Sequence, residues 1–232
     1  MPHTPPCARK SARSLASIAL AGIALAACNT LQPPIETRYA RWVRVSEHRA
    51  ETERYVAYLR SEGVGEVVPT MPLSRSARDW KRCKRDEFAV PPDTLQANMV
   101  PTLRVIARLR DEGILDPALA RSVYRDADLN TCAGGSPGSK HLQNRAIDFD
   151  LPDRPDNVAR LCGFWREHGE ALQMGLGFYS PTTIHIDTGG YRTWGTDYTR
   201  RTSLCLPPEA QPESRGQSQD QPEPQATPAP TR

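Results

Sequence analysis

Apolar positions recur at helical spacing in three stretches of this chain and alternate with polar ones in three shorter stretches. From Ser46 to Glu62, Tyr55, Val56, Tyr58 and Leu59 form one apolar face, Val45 and Ser46 mark a start and Gly63 a stop, which predicts a helix. A second helix is predicted to begin after Asp93 and to run to about Asp111, ended by Gly113. Leu95, Met99, Leu103 and Ile106 fall on its inner face at spacings of four, four and three, and Pro101 either kinks it or marks its true first turn. Asp156 or Asn157 caps a third helix through Leu172, whose buried stripe is Val158, Leu161, Phe164 and Trp165. Strand signals lie at Ser122 to Tyr124, Ala146 to Phe149 and Thr182 to Thr188. Helices first, then short strands joined by long loops, predict an α+β fold with a small, mostly antiparallel sheet flanked by helices.

Two of these strands carry chemistry. In Ala146-Ile147-Asp148-Phe149-Asp150 the period of two sends Ile147 and Phe149 to one face and Asp148 with Asp150 to the other. In Thr183-Ile184-His185-Ile186-Asp187 the isoleucines go inward, while Thr183, His185 and Asp187 share the opposite face. If the two strands are neighbours, His141, Asp148 and His185 converge. Two imidazoles and one carboxylate make a catalytic zinc set, three protein ligands with a fourth position left for water. The plainer reading is a loop histidine beside half-exposed strand polars.

The chain ends change the setting. Arg9, Lys10 and Arg13 precede the mostly apolar run Leu15 to Ala27, which reads as an export signal over residues 1–27. As a helix that run rises about 20 Å, too short for a hydrocarbon core of roughly 30 Å. The junction Leu25-Ala26-Ala27-Cys28 resembles the bacterial lipobox, which implies lipidation of Cys28, and Asn29 after it implies the outer membrane. Setting aside Cys7 and Cys28, the remaining Cys83, Cys132, Cys162 and Cys205 predict two disulfides in an oxidising compartment, with three possible pairings. No C-x-x-C pair is present to suggest a cysteine zinc site.

Charge excludes more than it suggests. The formal net charge is +3 from 30 basic and 27 acidic residues, and the signal holds three of the bases, so the exported chain is near neutral and no nucleic-acid partner is implied. The basic run Lys81 to Arg85, inside an irregular stretch from Arg75 to Glu87, reads as a solvated or glycan-facing surface. The segment from Pro207 to Arg232, with seven prolines and almost no large apolar residue, predicts a disordered tail. Between Cys28 and Leu206 about 180 residues remain, enough for one domain with a sizeable core.

The segment Ser139-Lys140-His141-Leu142-Gln143-Asn144-Arg145-Ala146-Ile147-Asp148 resembles the S-x-H-x-x-G-x-A-x-D motif of the M15-type zinc D,D-peptidases. Ser122-Val123-Tyr124-Arg125 is similar to the family's S-x-Y-R strand, and Asn130 with Gly134-Gly135 to its N…GG loop. Gly175-Leu176-Gly177-Phe178-Tyr179 and Ile184-His185-Ile186-Asp187-Thr188-Gly189 are similar to its G-x-G-x-Y…HxDxG ending, and Arg192 with Trp194 to the R-x-W of its murein-cleaving branch. The resemblance spans roughly residues 95–194. It implies a Hedgehog/D,D-peptidase-like fold over residues 91–206, preceded by a helix and irregular segment, residues 28–90, packed on that core.

It further implies that His141, Asp148 and His185 ligate one zinc ion per chain, that Arg125 pairs with a substrate carboxylate, and that Ser139 orders the ligand loop or bonds the substrate. The implied reaction is hydrolysis of amide bonds in peptidoglycan, as an endopeptidase or a carboxypeptidase, by a lipoprotein facing the periplasm. The chain departs from the pattern twice. Asn144 replaces the motif glycine, and asparagine is the best non-glycine residue for a positive φ. Thr182 stands where many members carry the glutamate general base, which leaves Asp187 as general base or as the partner of His185. A chain that keeps the metal but has lost its base would be a non-hydrolytic peptidoglycan-binding lipoprotein.

Overall fold

The computed structural model describes residues 32–152 and 154–207; the predicted signal, Cys7, Cys28 and all but the first residue of the predicted tail lie outside them. Met1–Pro33 and Pro34–Arg232 are separate units, and every element below belongs to the second. Among the described residues no helix is long and apolar enough to cross a membrane.

The described α-helices are α1 (Ile35–Trp42), α2 (Ser46–Ser61), α3 (Thr70–Leu73), α4 (Asp93–Gln96), α5 (Met99–Asp111), α6 (Ala127–Cys132) and α7 (Asn157–His168). They flank one sheet of β1 (Ala120–Ser122), β2 (Ala146–Asp150), β3 (Gly175–Ser180), β4 (Thr183–Asp187) and β5 (Arg192–Trp194), in the order β1-β2-β4-β3-β5. β1 with β2, β2 with β4 and β4 with β3 run antiparallel, and only β5 is parallel to its neighbour β3. This is the α+β class with a mostly antiparallel sheet that the pattern predicts.

The inner face of the sheet is apolar. Ile147 and Phe149 of β2, Leu176 and Phe178 of β3, and Ile184 and Ile186 of β4 are wholly buried and pack with Leu103 and Ile106 of α5 and Leu161 and Trp165 of α7. Tyr55 and Leu59 of α2 join the same core, so α2 packs against the sheet. Truncating a ring such as Phe149 to alanine here costs about 3–5 kcal/mol. That anchorage is why the outer face of β2 and β4 can hold polar side chains at fixed positions.

Several boundaries differ from the sequence reading for local reasons. The long second helix is two, α4 and α5, broken after Gln96, and Pro101 falls in the first turn of α5, where its missing N–H is no loss. α7 stops at His168 rather than Leu172, because the chain enters a turn in which Met174 N–H bonds the Gly169 carbonyl and Gln173 adopts a φ of 51°. β1 ends at Ser122 instead of starting there. Val123 N–H turns to the Arg75 carbonyl at 2.8 Å and Arg125 N–H to the His141 carbonyl at 3.3 Å, so residues 123–125 leave the sheet for the ligand loop. β3 alternates large apolar residues with glycine rather than with polar ones, and β5 is only three residues long, so both escape the strand criteria.

Two disulfides pair the four cysteines, Cys83 with Cys132 and Cys162 with Cys205. The first fastens the irregular stretch after Arg75 to α6, and the second ties α7 to the chain beyond β5. They close 49 and 43 residues, which in the loop-entropy view stabilises the fold by about 4 kcal/mol each.

Candidate metal centre

The register of the sheet aligns the site. Ser122, Asp148, His185, Gly177 and Trp194 are successive cross-strand partners from β1 to β5, forming one row across the whole sheet. The next row is Ala146, Asp187, Gly175 and Arg192. In each row a glycine on β3 leaves space for a long side chain from β5. A Cβ on Gly177 would lie 2.0 Å from the Trp194 ring, and one on Gly175 would lie 2.5 Å from both the Arg192 guanidinium and Asp187 Oδ2.

His141 reaches the first row from the loop before β2. That loop is a run of turns. Ser139 Oγ accepts from His141 N–H at 3.4 Å, and Asn144 closes it with a φ of 49° while its amide donates to Tyr55 Oη and the Leu95 carbonyl. Asparagine therefore supplies both the left-handed backbone a glycine would give and a tether to α2 and α4. Ser139 also lines the cavity beside the loop it helps to turn.

One ligand-type atom from each of His141, Asp148 and His185 lies within 4.8 Å of the others, and the three residues are 1%, 3% and 5% exposed. Asp148 Oδ1 is 3.1 Å from His141 Nε2 and 2.9 Å from His185 Nδ1. The far nitrogens are both spoken for. His141 Nδ1 donates to the Val123 carbonyl at 2.6 Å, and His185 Nε2 meets Asp187 Oδ2 at 2.9 Å. Each imidazole is thus oriented by a partner behind it, as metal-binding histidines are, with the other nitrogen turned to a shared centre. The donor set of two ring nitrogens and one carboxylate oxygen fits zinc.

Charges divide the two imidazoles. Burial is the largest influence on both and disfavours their protonation. His141 faces one carboxylate but also the Arg125 guanidinium and the second imidazole, and it is pulled down to about 4. His185 lies between two carboxylates, Asp148 and Asp187, which outweigh burial and raise it. Asp148 would be raised by burial, yet the two imidazoles and Arg125 hold it well below the usual carboxylate range. Burial, then Asp148, pushes the Tyr179 phenol up, so this hydroxyl stays protonated while it donates to Asp148 Oδ1 at 3.2 Å.

Arg125 and Asp187 sit at the centre in roles narrower than the sequence reading allowed. Arg125 lines the cavity, but its Nε donates to Ser122 Oγ at 2.8 Å and one terminal nitrogen to Asp148 Oδ2 at 2.6 Å. Its planar fork is engaged with the ligand carboxylate rather than turned wholly to a substrate. Asp187 is fully buried. Its Oδ2 meets His185 and Arg192 and its Oδ1 meets Arg192 and Gly189 N–H, at 2.6–3.0 Å. No lone pair of Asp187 faces the cavity, so the geometry favours the His185-orienting reading over that of general base.

The cavity above the centre holds about 610 Å³. Arg78, Asp79 and the Gly134–Ser136 loop line it together with Tyr179, Trp194 and Tyr198, whose rings pack in one cluster. Asn130 holds the loop by donating to the Ser136 carbonyl at 3.0 Å. Sequence reasoning assigned no role to Tyr179, Tyr198, Asp79 or Lys140, all of which line this space. For Tyr179 a signal existed, since it shares the outer face with Gly175 and Gly177, but the absent side chains hide that face. None of the four described cysteines belongs to this centre, as all are in disulfides. The basic run Lys81 to Arg85 is partly spent on the surface, Arg82 on Asp79 and Arg85 on Asp126.

Residues 78–187, which contain all three candidate ligands, match the model of the family described as Peptidase M15. No curated protein and no solved structure matches the chain.

Proposed function

With residues 78–187 belonging to the peptidase M15 family, we propose that this metallopeptidase hydrolyses amide bonds beside D-amino acids in peptidoglycan, using one zinc ion held by His141, Asp148 and His185. The observation that carries the reading is the convergence of those three donor atoms within 4.8 Å at the floor of an open cavity. Bound zinc would supply a Lewis acid that polarises the scissile carbonyl and acidifies the attacking water.

The protein's own groups complete the chemistry. The Arg125 guanidinium and the protonated Tyr179 hydroxyl both reach Asp148, from the edge of the donor set. A carbonyl oxygen that gains negative charge beside Asp148 meets the Arg125 Nη1 group, which makes no hydrogen bond among the described residues, and the Tyr179 hydroxyl once it turns from Asp148. Asp187 holds the His185 ring and does not take the proton. Among the described carboxylates lining the cavity, Asp79 remains for that task. Asp79→Asn then lowers kcat by at least about 10²-fold with zinc content intact; an unchanged kcat removes Asp79 from the mechanism.

Trp194 and Arg192, the R-x-W ending, support cleavage inside a crosslink rather than at a free D-Ala-D-Ala end. Offering the purified mature chain a crosslinked muropeptide dimer and a pentapeptide together tests both levels. Release of monomers, absent in His141→Ala, supports the endopeptidase. One observation favours a second reading: Thr182 stands at the usual base position and Asp187 is turned away. If zinc binds stoichiometrically and neither substrate is cleaved, the chain is a zinc-bearing peptidoglycan binder. For the cellular setting we propose lipidation at Cys28 and a periplasm-facing place at the outer membrane, against the polymer it cuts. Release of the protein from the membrane fraction by Cys28→Ser checks it.

A further inference from the structure

Four cations line the cavity, Arg78, Arg125, Lys140 and Arg192. Three are committed. Arg78 pairs with Asp150 at 2.7 Å, Arg125 with Asp148 at 2.6 Å, and Arg192 with Asp187 at 2.6 Å. Lys140 is half-buried and makes no side-chain hydrogen bond or ion pair among the described residues.

Its position is nonetheless built. The Lys140 carbonyl accepts from Gln143 N–H at 3.2 Å and from Arg145 N–H at 2.9 Å, which pins its backbone in the turn that presents His141. The stem of the side chain crosses Gly189, where a Cβ would lie 2.4 Å from Lys140 Cε. Gly189 is itself fixed, its N–H donating to Asp187 Oδ1 at 2.6 Å. The side chain is therefore held against a bare glycine surface, and Lys140 lines the cavity.

A partly desolvated ammonium without a partner costs free energy that an arriving anion offsets. In a peptide that anion is a carboxylate. We infer that Lys140 is a specificity-determining residue that receives a free carboxylate of the substrate flanking the scissile bond, so the enzyme favours stem peptides left unamidated at that position. This rests on the peptidase reading above, and it moves substrate recognition from Arg125 to the residue next to the ligand His141.

The test uses the zinc-loaded mature chain and synthetic stem peptides in which each free carboxylate in turn is replaced by a carboxamide. In the wild type, amidating one particular carboxylate lowers kcat/KM by about tenfold or more, as expected for a charge-assisted hydrogen bond. In Lys140→Gln the same replacement costs little, in Lys140→Arg the penalty returns, and zinc content is equal in all three. Equal amidation penalties in wild type and Lys140→Gln overturn the inference while leaving the hydrolase intact. Should no peptide be cleaved, calorimetric titration with the same peptides reads the preference directly. Carboxylate-dependent binding lost in Lys140→Gln upholds Lys140 without hydrolysis, and its absence overturns the inference.

Discussion

The two cross-strand rows on the outer face of the sheet are built alike and behave differently. Each has a polar residue on β4, a glycine on β3 and a long side chain from β5 laid over that glycine. In the Asp187 row the overlying group is a guanidinium, and every carboxylate lone pair is answered, so the row is sealed. In the His185 row the overlying group is an indole with its ring 5.6 Å from the imidazole, which shields one side and leaves Nδ1 turned to the shared centre with Asp148. The same scaffold thus gives a supporting row and a working row, and the choice of arginine or tryptophan on β5 separates them.

Breaking the working row has the largest effect. His185→Ala removes one of the three proposed ligands, and we expect loss of stoichiometric zinc and a fall in hydrolysis of at least about 10³-fold, read by metal analysis and peptide turnover. Next comes the supporting row. Arg192→Ala leaves the buried Asp187 carboxylate without its guanidinium, which should lower stability by about 2–3 kcal/mol, less than for a fully buried pair because Arg192 is partly exposed. The thermal midpoint checks it, and a shift of under about 1 °C would show that the pair does not hold the row.

Gly177→Ala strikes the glycine of the working row. A methyl group must displace the Trp194 ring, at a cost of about 1–3 kcal/mol, with a change in tryptophan fluorescence as its signature. The smallest effect lies away from both rows. Asp126 caps α6 by accepting from Leu129 N–H and pairs with Arg85; although burial pushes it up, these partners hold it below its ordinary 3.8. Its contribution is present at neutral pH and is lost as pH falls from about 4 through the depressed value. Asp126→Asn should therefore narrow the stability difference from wild type at acid pH, from about 0.5–1 kcal/mol at pH 7, without changing zinc content.

What the chain reveals before folding follows the same division. Asp148 and His185 are legible because isoleucine and phenylalanine alternate with them and declare which face they occupy. His141 is legible by motif alone, since its loop has no period. The supporting apparatus is hidden because it works through absence. Gly175 and Gly177 contribute space, so β3 shows no alternation of apolar with polar residues, and β5 is too short to show any. Thr182 made Asp187 seem the available base, and only the bonds from Arg192 and Gly189 reveal its lone pairs as taken. Disulfide pairing likewise needs proximity, because Cys83 and Cys132 are 49 residues apart in sequence yet 5.8 Å apart between Cα atoms.

The packing of Trp194 over Gly177 also couples the two positions. Enlarging residue 177 costs packing energy while the indole is in place, and shrinking residue 194 uncovers one side of His185. A change at either is felt by the other, so the two form a single unit that any redesign of the cavity must treat together.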